Sequence, residues 1–187
     1  MKLLHIDSSI TGENSVSRRL SAGVVARLRQ ADPTVTVIRR DLAAEPVGHL
    51  TLGDMPAKGE HSEVLDEFLA ADTVVIGAPM YNFTLPSQLK AWIDRILVAG
   101  VTFRYGAAGP EGLAGGKRVI VALTRGGLYG ANTPAASAEH LETYLKVVFG
   151  FIGVTPEFVI AEGIQIGPEQ RDATLIQAEA SITALAA

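Results

Sequence analysis

The feature that most narrowly limits the fold of this chain is a continuous apolar run at residues 73–77, Thr-Val-Val-Ile-Gly. A strand without polar alternation has both faces covered, which is typical of a parallel sheet between two layers of helices. The run is followed by a loop at residues 80–85. An amphipathic segment then begins at Pro86, a residue suited to a first helical turn. These features predict a buried strand, a loop at its carboxyl end and a helix.

The rest of the chain repeats this alternation. Apolar runs predict five strands, and each is followed by a helical pattern, with the strands at residues 3–6, 35–38, 73–78, 119–123 and 158–161. Thr133 and Pro134 form a cap and first-turn signal for the fourth helix. Residues 41–58 are expected to be an irregular excursion, and residues 100–116 a long glycine-rich connection. We therefore predict an α/β fold: one domain over residues 1–187, with a five-stranded parallel sheet in the order 2-1-3-4-5 and helices on both faces.

The composition limits the classes of function. The chain has 187 residues and a net charge of −4, so it lacks the basic footprint of a nucleic-acid-binding protein. It has no cysteine, which excludes disulfides, thiolate catalysis and cysteine zinc sites, and its four histidines lack metal-ligand spacing, so no metal is expected. There is no signal-peptide region and no apolar stretch long enough to span a bilayer. We expect a cytoplasmic protein with no membrane partner.

Polar residues follow the first predicted strand. Ser9, Ser15 and Ser17 lie just before or within the start of a helix, whose free N–H groups and positive dipole end favour an anion such as a terminal phosphate. The loop matches neither the nucleoside triphosphate nor the dinucleotide motif. The alternative is that Ser15 only caps the helix.

The loops after the third and fourth strands indicate a second part of the site. Residues 80–85 include two aromatic rings, a thioether and an amide but no acid or base, which favours contact with a flat heterocycle over proton transfer. Gly126 and Gly127 follow the fourth strand and let the backbone approach a ligand closely, although they could simply form a tight turn. Together the three loops predict a phosphate pocket beside a slot for a planar ring.

These segments resemble the FMN-dependent NADH azoreductases, also called NADH:quinone oxidoreductases, whose fold is a flavodoxin-like three-layer sandwich. The matching segments span nearly the whole chain, and the most specific is the Pro-Met-Tyr-Asn-Phe run at residues 79–83. The resemblance implies that the FMN phosphate is held by Ser9, Ser15, Val16 and Ser17. It also implies that the isoalloxazine ring is lined by Met80, Tyr81, Asn82, Phe83, Thr124, Arg125, Gly126 and Gly127.

The resemblance further implies an activity. Hydride would pass from NADH or NADPH to N5 of bound FMN and then to a quinone or azo compound, in a ping-pong order with no catalytic side chain. Backbone N–H groups near Asn82 and Gly127 are expected to stabilise negative charge on the reduced ring. The family is homodimeric with its site at the interface, which implies a substrate pocket walled by Tyr105, Phe151 and Tyr129. The alternative for these aromatics is ordinary core packing.

Two other functions remain open from the sequence. A non-catalytic electron carrier like flavodoxin would use the same phosphate loop, but such carriers are usually more acidic than −4. A regulatory module without flavin would leave the aromatic slot as an exposed apolar patch. Relative to the family, the connection at residues 41–58 is short, and Thr124 stands where serine is frequent. Both differences lie where they affect substrate access, so they concern which acceptor is preferred and not the binding of FMN.

Overall fold

The structure is a computed structural model that describes residues 1–54 and 61–186. It contains seven strands: β1 (Lys2–Asp7), β2 (Thr36–Asp41), β3 (Thr73–Pro79), β4 (Phe103–Gly106), β5 (Gly109–Gly112), β6 (Arg118–Thr124) and β7 (Glu157–Ala161). Five of them form a parallel sheet in the order β2-β1-β3-β6-β7, while β4 and β5 form a separate antiparallel hairpin. Without the hairpin, this order is the predicted 2-1-3-4-5.

Helices cover both faces of the sheet, as predicted. In the part of the chain that the structure describes, the α-helices are α1 (Val16–Ala31), α2 (Glu63–Ala70), α3 (Ser87–Ile96), α4 (Glu142–Phe151) and α5 (Pro168–Ala184). One core cluster joins the sheet to α2, α3 and α4, and a second joins it to α1 and α5. All seven residues of β3 are buried, which explains its unbroken apolar sequence. Within the described ranges, no helix is both long and apolar enough to cross a membrane.

Residues 100–116, which were predicted to be a long glycine-rich connection without strands, include the β4–β5 hairpin. Its strands are short and rich in glycine, so they carry little strand signal of their own. The hairpin is positioned by the residues after α4. The N–H group of Ala114 donates to the carbonyl oxygen of Ile152 at 2.9 Å, and a Cβ atom on Gly112 would lie 2.1 Å from the backbone nitrogen of Gly153. The predicted irregular connection at 41–58 lies partly outside the described residues.

The start of α4 was predicted wrongly. The helix begins at Glu142 rather than at Thr133 and Pro134, and the intervening chain contains a short 3-10 helix, Ala136–Ala138. The carboxylate of Glu139 caps α4 by accepting hydrogen bonds from the N–H groups of Leu141, Glu142 and Thr143 at 2.7 to 3.0 Å. A glutamate can therefore replace the serine or threonine cap on which the prediction relied.

A pair of charged side chains joins β2 to α1. Arg18 donates from both terminal nitrogens to the carboxylate of Asp41, at 2.6 and 2.7 Å, and also to the carbonyl oxygen of Ser9 at 2.7 Å. The hydrogen bond from Arg18 lowers the pKa of Asp41 to about 2, and the backbone N–H groups of Ala43 and Ala44 contribute despite the opposing effect of burial. Arg18 thus fixes the loop after β1 against the end of β2.

We expect the substitution Asp41→Asn to lower the free energy of unfolding by about 2 kcal/mol at neutral pH. The folded-state pKa lies below the ordinary value of 3.8, so the ionised carboxylate stabilises the fold above that pH and the stabilisation is lost as pH falls towards 2. In urea unfolding between pH 7 and 3, the difference in the free energy of unfolding between wild type and variant should become smaller below pH 4. Asp172→Asn, at an exposed position on α5, is the control. A difference independent of pH would contradict this account.

Candidate functional site

Three loops lie side by side at the carboxyl edge of the sheet, because β1, β3 and β6 are neighbours in it. We call them the serine loop (residues 8–15), the aromatic loop (residues 80–86) and the glycine loop (residues 125–130). Asp7 at the end of β1 pairs with Gly77 of β3, and Pro79 at the end of β3 pairs with Thr124 at the end of β6. The N–H group of Met80 donates to the carbonyl oxygen of Thr124 at 2.8 Å. The predicted loops therefore border one crevice.

The serine loop leads directly into α1. The hydroxyl oxygen of Ser15 accepts a hydrogen bond from the N–H group of Arg18 at 3.2 Å and lies 3.0 Å from the hydroxyl oxygen of Ser17. Within the described residues, the N–H groups of Val16 and Ser17 donate no hydrogen bond, as is usual in a first helical turn. Ser15 is therefore a cap, and the helix also presents two amide donors at its positive end. These donors suit a terminal phosphate.

The serine loop and the aromatic loop are joined by side chains. The phenol oxygen of Tyr81 lies 3.1 Å from the hydroxyl oxygen of Ser9 and accepts a hydrogen bond from the N–H group of Ile10 at 3.2 Å. The hydroxyl oxygen of Ser9 also lies 3.0 Å from that of Thr11. Ser9 and Tyr81 were predicted to bind different parts of the cofactor, and the structure brings them into direct contact. The positions of the two loops therefore depend on each other.

The aromatic loop contains a strained two-residue turn. Tyr81 and Thr84 exchange backbone hydrogen bonds of 2.9 and 3.1 Å, and the intervening Asn82 and Phe83 have φ angles of 46° and 73°. Two positive φ angles are typical of a type I′ turn, and they are unfavourable for a phenylalanine. In the described chain, the N–H groups of Asn82 and Phe83 have no acceptor, and both residues are exposed. The turn therefore offers two amide donors and an apolar ring.

The backbone of the glycine loop is oriented by the chain after β7. The carbonyl oxygens of Arg125, Gly126 and Gly127 accept hydrogen bonds from the N–H groups of Ile164, Gln165 and Gly163, at 3.3, 3.0 and 2.9 Å. In a trans peptide the N–H group points opposite to the carbonyl. The N–H groups of the next residues, 126–128, therefore point away from the β7 loop, and they donate no hydrogen bond to any described residue. This arrangement suits the binding of a polarised ring edge.

The side chain of Arg125 is not available to a ligand. Only 2% of it is exposed, and its guanidinium lies 3.1 Å from a carboxylate oxygen of Glu139, 2.5 Å from Glu142 and 3.2 Å from Glu162. Burial raises the pKa of Glu139, but the hydrogen bonds from Glu142 and Thr143 and the charge of Arg125 outweigh it and leave that pKa below its ordinary value. Arg125, predicted to line the ring, can do so only through its backbone.

The predicted substrate-pocket aromatics fall into two groups within one chain. The ring of Tyr129 meets that of Phe83 edge to face at 6.3 Å, beside the cofactor loops. Tyr105 and Phe151 are linked through Phe103, at 5.6 and 4.6 Å between ring centroids. Phe151 is the last residue of α4, whereas the start of that helix meets Arg125, so the two groups are separated by roughly the 15 Å length of the helix. A single chain does not assemble these three residues into one pocket.

Several residues of the site were not found from the sequence. Glu162 accepts hydrogen bonds from Arg125 and from the N–H group of Tyr129 at 3.1 Å, and a Cβ atom on Gly126 would lie 2.6 Å from Oε1 of Gln165. Glu162 stands in the run Ala161-Glu162-Gly163, which is one of the segments that resemble the family, and this is the one signal that could have drawn attention to it. Gln165 has no such signal, because its contact depends on how the chain returns after β7.

Two open cavities flank the serine loop. One of about 570 Å³ runs along the aromatic loop and includes Met80, Tyr81 and Ile10, and another of about 640 Å³ lies on the side of Arg18 and Asp41. Volumes of this size are typical of small-molecule sites. Amide donors at a helix N-terminus, further donors on two loops and neighbouring aromatic side chains fit a planar ring joined to a terminal phosphate. The residues present therefore fit FMN.

Comparison with known proteins agrees with this geometry. A family model described as flavodoxin-like fold matches residues 1–185. The chain is 60% identical, in an alignment of 201 positions that covers 100% of both sequences, to FMN-dependent NADH:quinone oxidoreductase 2 of Bradyrhizobium diazoefficiens. It is 54% identical to the FMN-dependent NADH:quinone oxidoreductase of Gluconacetobacter diazotrophicus, over 99% of each sequence.

Solved structures give the same result. An azoreductase from Bacillus anthracis strain Sterne is 31% identical, with a TM-score of 0.84 over 99% of this chain and 100% of that one. An FMN-dependent NADH-azoreductase from Bacillus anthracis, solved in complex with FMN, is 25% identical, with a TM-score of 0.85 over 97% and 95% of the two chains. The chain therefore belongs to the flavodoxin-like family of FMN-dependent NADH:quinone oxidoreductases and azoreductases.

Proposed function

We propose that this protein is an FMN-dependent enzyme that uses NADH to reduce quinones and azo compounds. The observation that carries the proposal is a set of amide donors on three adjacent loops that have no acceptor among the described residues. They match a phosphate at one end and a polarised ring at the other. The 60% identity to an enzyme named for this activity supports it. The names of the relatives favour an enzyme over an electron carrier.

Different loops would bind different parts of FMN. Ser9, Ser15, Val16 and Ser17 would hold the phosphate at the start of α1. The ring would lie against the backbone of residues 80–83 and 124–127. Its flat faces would contact apolar side chains such as Met80, which is partly buried against the core. Arg18 is already paired with Asp41, so the phosphate charge would be met mainly by amides and hydroxyls.

Bound FMN would supply the redox chemistry, since its N5 atom can accept hydride from NADH and return it to an acceptor. The chain itself supplies position and electrostatics. The free N–H groups of Asn82, Phe83, Gly126 and Gly127 would stabilise negative charge on the reduced ring without reorganising during the reaction. The side chains proposed to contact the ring include no acid–base pair, and protons would come from solvent. Donor and acceptor would use the same ring face in turn, which gives ping-pong kinetics.

Anaerobic spectroscopy tests the whole proposal. We expect the purified protein to take up FMN and the visible flavin absorption to bleach in one phase on addition of NADH. The absorption should return when a quinone is added. If bleaching needs a donor other than NADH, or if a one-electron-reduced flavin is long-lived, the result would favour a non-catalytic electron carrier over an enzyme. Failure to bind FMN at all would refute the proposal that the three loops form an FMN site.

Ser17→Ala tests the phosphate end of the site separately. Loss of one hydroxyl donor to a charged group should weaken FMN binding about tenfold. Riboflavin, which lacks the phosphate, should bind the variant and the wild type equally well in a fluorescence titration. Ser181→Ala, at an exposed position on α5, is the matched control and should change neither affinity. An equal loss for FMN and riboflavin would show that Ser17 does not contact the phosphate.

We also propose that the protein is a homodimer. Tyr105 is 74% exposed at the hairpin, and Phe83 is 51% exposed at the aromatic loop, although exposing large aromatics is costly. One chain keeps Tyr105 and Phe151 apart from Tyr129. A second copy that places its own hairpin aromatics over the cofactor loops would complete the pocket that the family resemblance implies.

Sedimentation equilibrium should therefore give a mass of twice 19.7 kDa. Tyr105→Arg should shift the mass towards that of a single chain, because it places a charge where an apolar contact is expected. Ile176→Arg, at a position on α5 that is 68% exposed, should leave the mass unchanged, because α5 packs on the opposite face of the sheet from α3 and α4. A wild-type protein that remains a single chain when loaded with FMN would exclude the dimer.

A further inference from the structure

Arg125 is one of the largest fully buried side chains in the described structure and carries a full charge. Its guanidinium contacts three carboxylates, and one of these, Glu142, is also paired with Lys146 at 2.7 Å. Removing such groups from water costs free energy. Apolar side chains of similar volume in the same place often stabilise a fold at least as much as the buried charges do. A buried ionic cluster is therefore weak evidence for stability and calls for another explanation.

The cluster joins four parts of the chain at the cofactor edge. Arg125 follows β6, Glu139 caps α4, Glu142 lies in the first turn of α4, and Glu162 follows β7. The carboxylate of Glu162 has a second role, because the same oxygen that contacts Arg125 accepts the N–H group of Tyr129 at 3.1 Å. Arg125 and Glu162 therefore hold the two ends of the segment that contains Gly126 and Gly127.

Those two glycines need external support. A glycine has no side chain to restrict its backbone, so the direction of its N–H group is set by its neighbours. On one side, hydrogen bonds from the chain after β7 hold the carbonyl groups of Arg125 and Gly126, which belong to the same peptides as the N–H groups of Gly126 and Gly127. At the two ends, Arg125 and Tyr129 are held by the carboxylate of Glu162. The free N–H groups of the loop point away from this support.

We propose that Arg125 and Glu162 are positioning residues for the flavin, an inference that rests on the proposed function. Neither touches the ring through its side chain. Together they fix the direction of the N–H groups of Gly126 and Gly127, which in turn bind the ring and stabilise its reduced form. The charge is buried because a guanidinium with two separate terminal nitrogens can hold the start of α4 and the loop after β7 at the same time.

Two variants that keep the charge test this inference. Arg125→Lys has one nitrogen in place of the planar fork, and Glu162→Asp withdraws the carboxylate by one methylene, so neither can maintain both contacts. The same two strands carry a second ion pair at their other ends, Arg118 with Glu157 at 2.6 Å, which provides the matched controls Arg118→Lys and Glu157→Asp. All four variants have the net charge of the wild type.

The readouts are the dissociation constant of FMN and the reduction potential of bound FMN. The melting temperature of each variant is measured as well, so that a loss of stability can be told from a loss of cofactor binding. We expect each test variant to bind FMN about tenfold more weakly and to have a more negative potential, because misdirected N–H groups stabilise the reduced ring less. The double variant should lose less than the two single losses combined, since the residues act as a unit. The controls should change neither quantity.

A purely structural cluster gives a different result. In that case Arg125→Lys and Glu162→Asp would lower the melting temperature while leaving the FMN affinity and potential of the folded protein at wild-type values, which would overturn the inference. Equal losses in the Arg118 and Glu157 controls would overturn it too. If Arg125→Lys does not fold, Glu162→Asp decides alone, since its side chain is a quarter exposed. A wild-type protein that fails to bind FMN refutes the proposed function instead.

Discussion

The parallel pairing of β3 with β1 on one side and β6 on the other is the constraint on which the site depends. Because parallel strands in one sheet end at the same edge, this pairing brings together three loops that are far apart in the sequence. The pairing in turn requires that β3 be buried on both faces, which its apolar sequence permits. A charged residue in place of Val74, Val75 or Ile76 would therefore disturb the site as well as the core.

Most of the fold could be predicted because its elements have local causes. The unbroken run of β3, the serine cap of α1 and the proline before α3 act over a few residues, and the observed elements begin near the predicted positions. The hairpin at Phe103–Gly106 and Gly109–Gly112 could not be predicted in this way, because its position depends on the backbone at Ile152 and Gly153. The cap of α4 was missed because a carboxylate took the role usually assigned to a hydroxyl.

The site shows the same division between local and long-range causes. The serine, aromatic and glycine loops have their own sequence signals, so the residues proposed to contact FMN could be named in advance. The side chains that orient those loops could not. Arg18 meets Asp41 across 23 residues, and Arg125 meets Glu162 across 37, and neither spacing carries a helical or strand period. Such contacts exist only once the sheet has formed, so no local pattern predicts them.

A site built from backbone donors has a particular physical weakness. A side-chain donor can reorient alone, but an amide N–H group can be redirected only by moving the chain. Phe83 is held at a positive φ angle, and Gly126 and Gly127 have little intrinsic preference, so the native directions of these donors must be imposed from outside the loops. His140 holds the end of the aromatic turn, because its N–H group donates to the carbonyl oxygen of Phe83 and its carbonyl oxygen accepts from the hydroxyl group of Thr84. Residues that never touch a ligand can therefore control how tightly it binds.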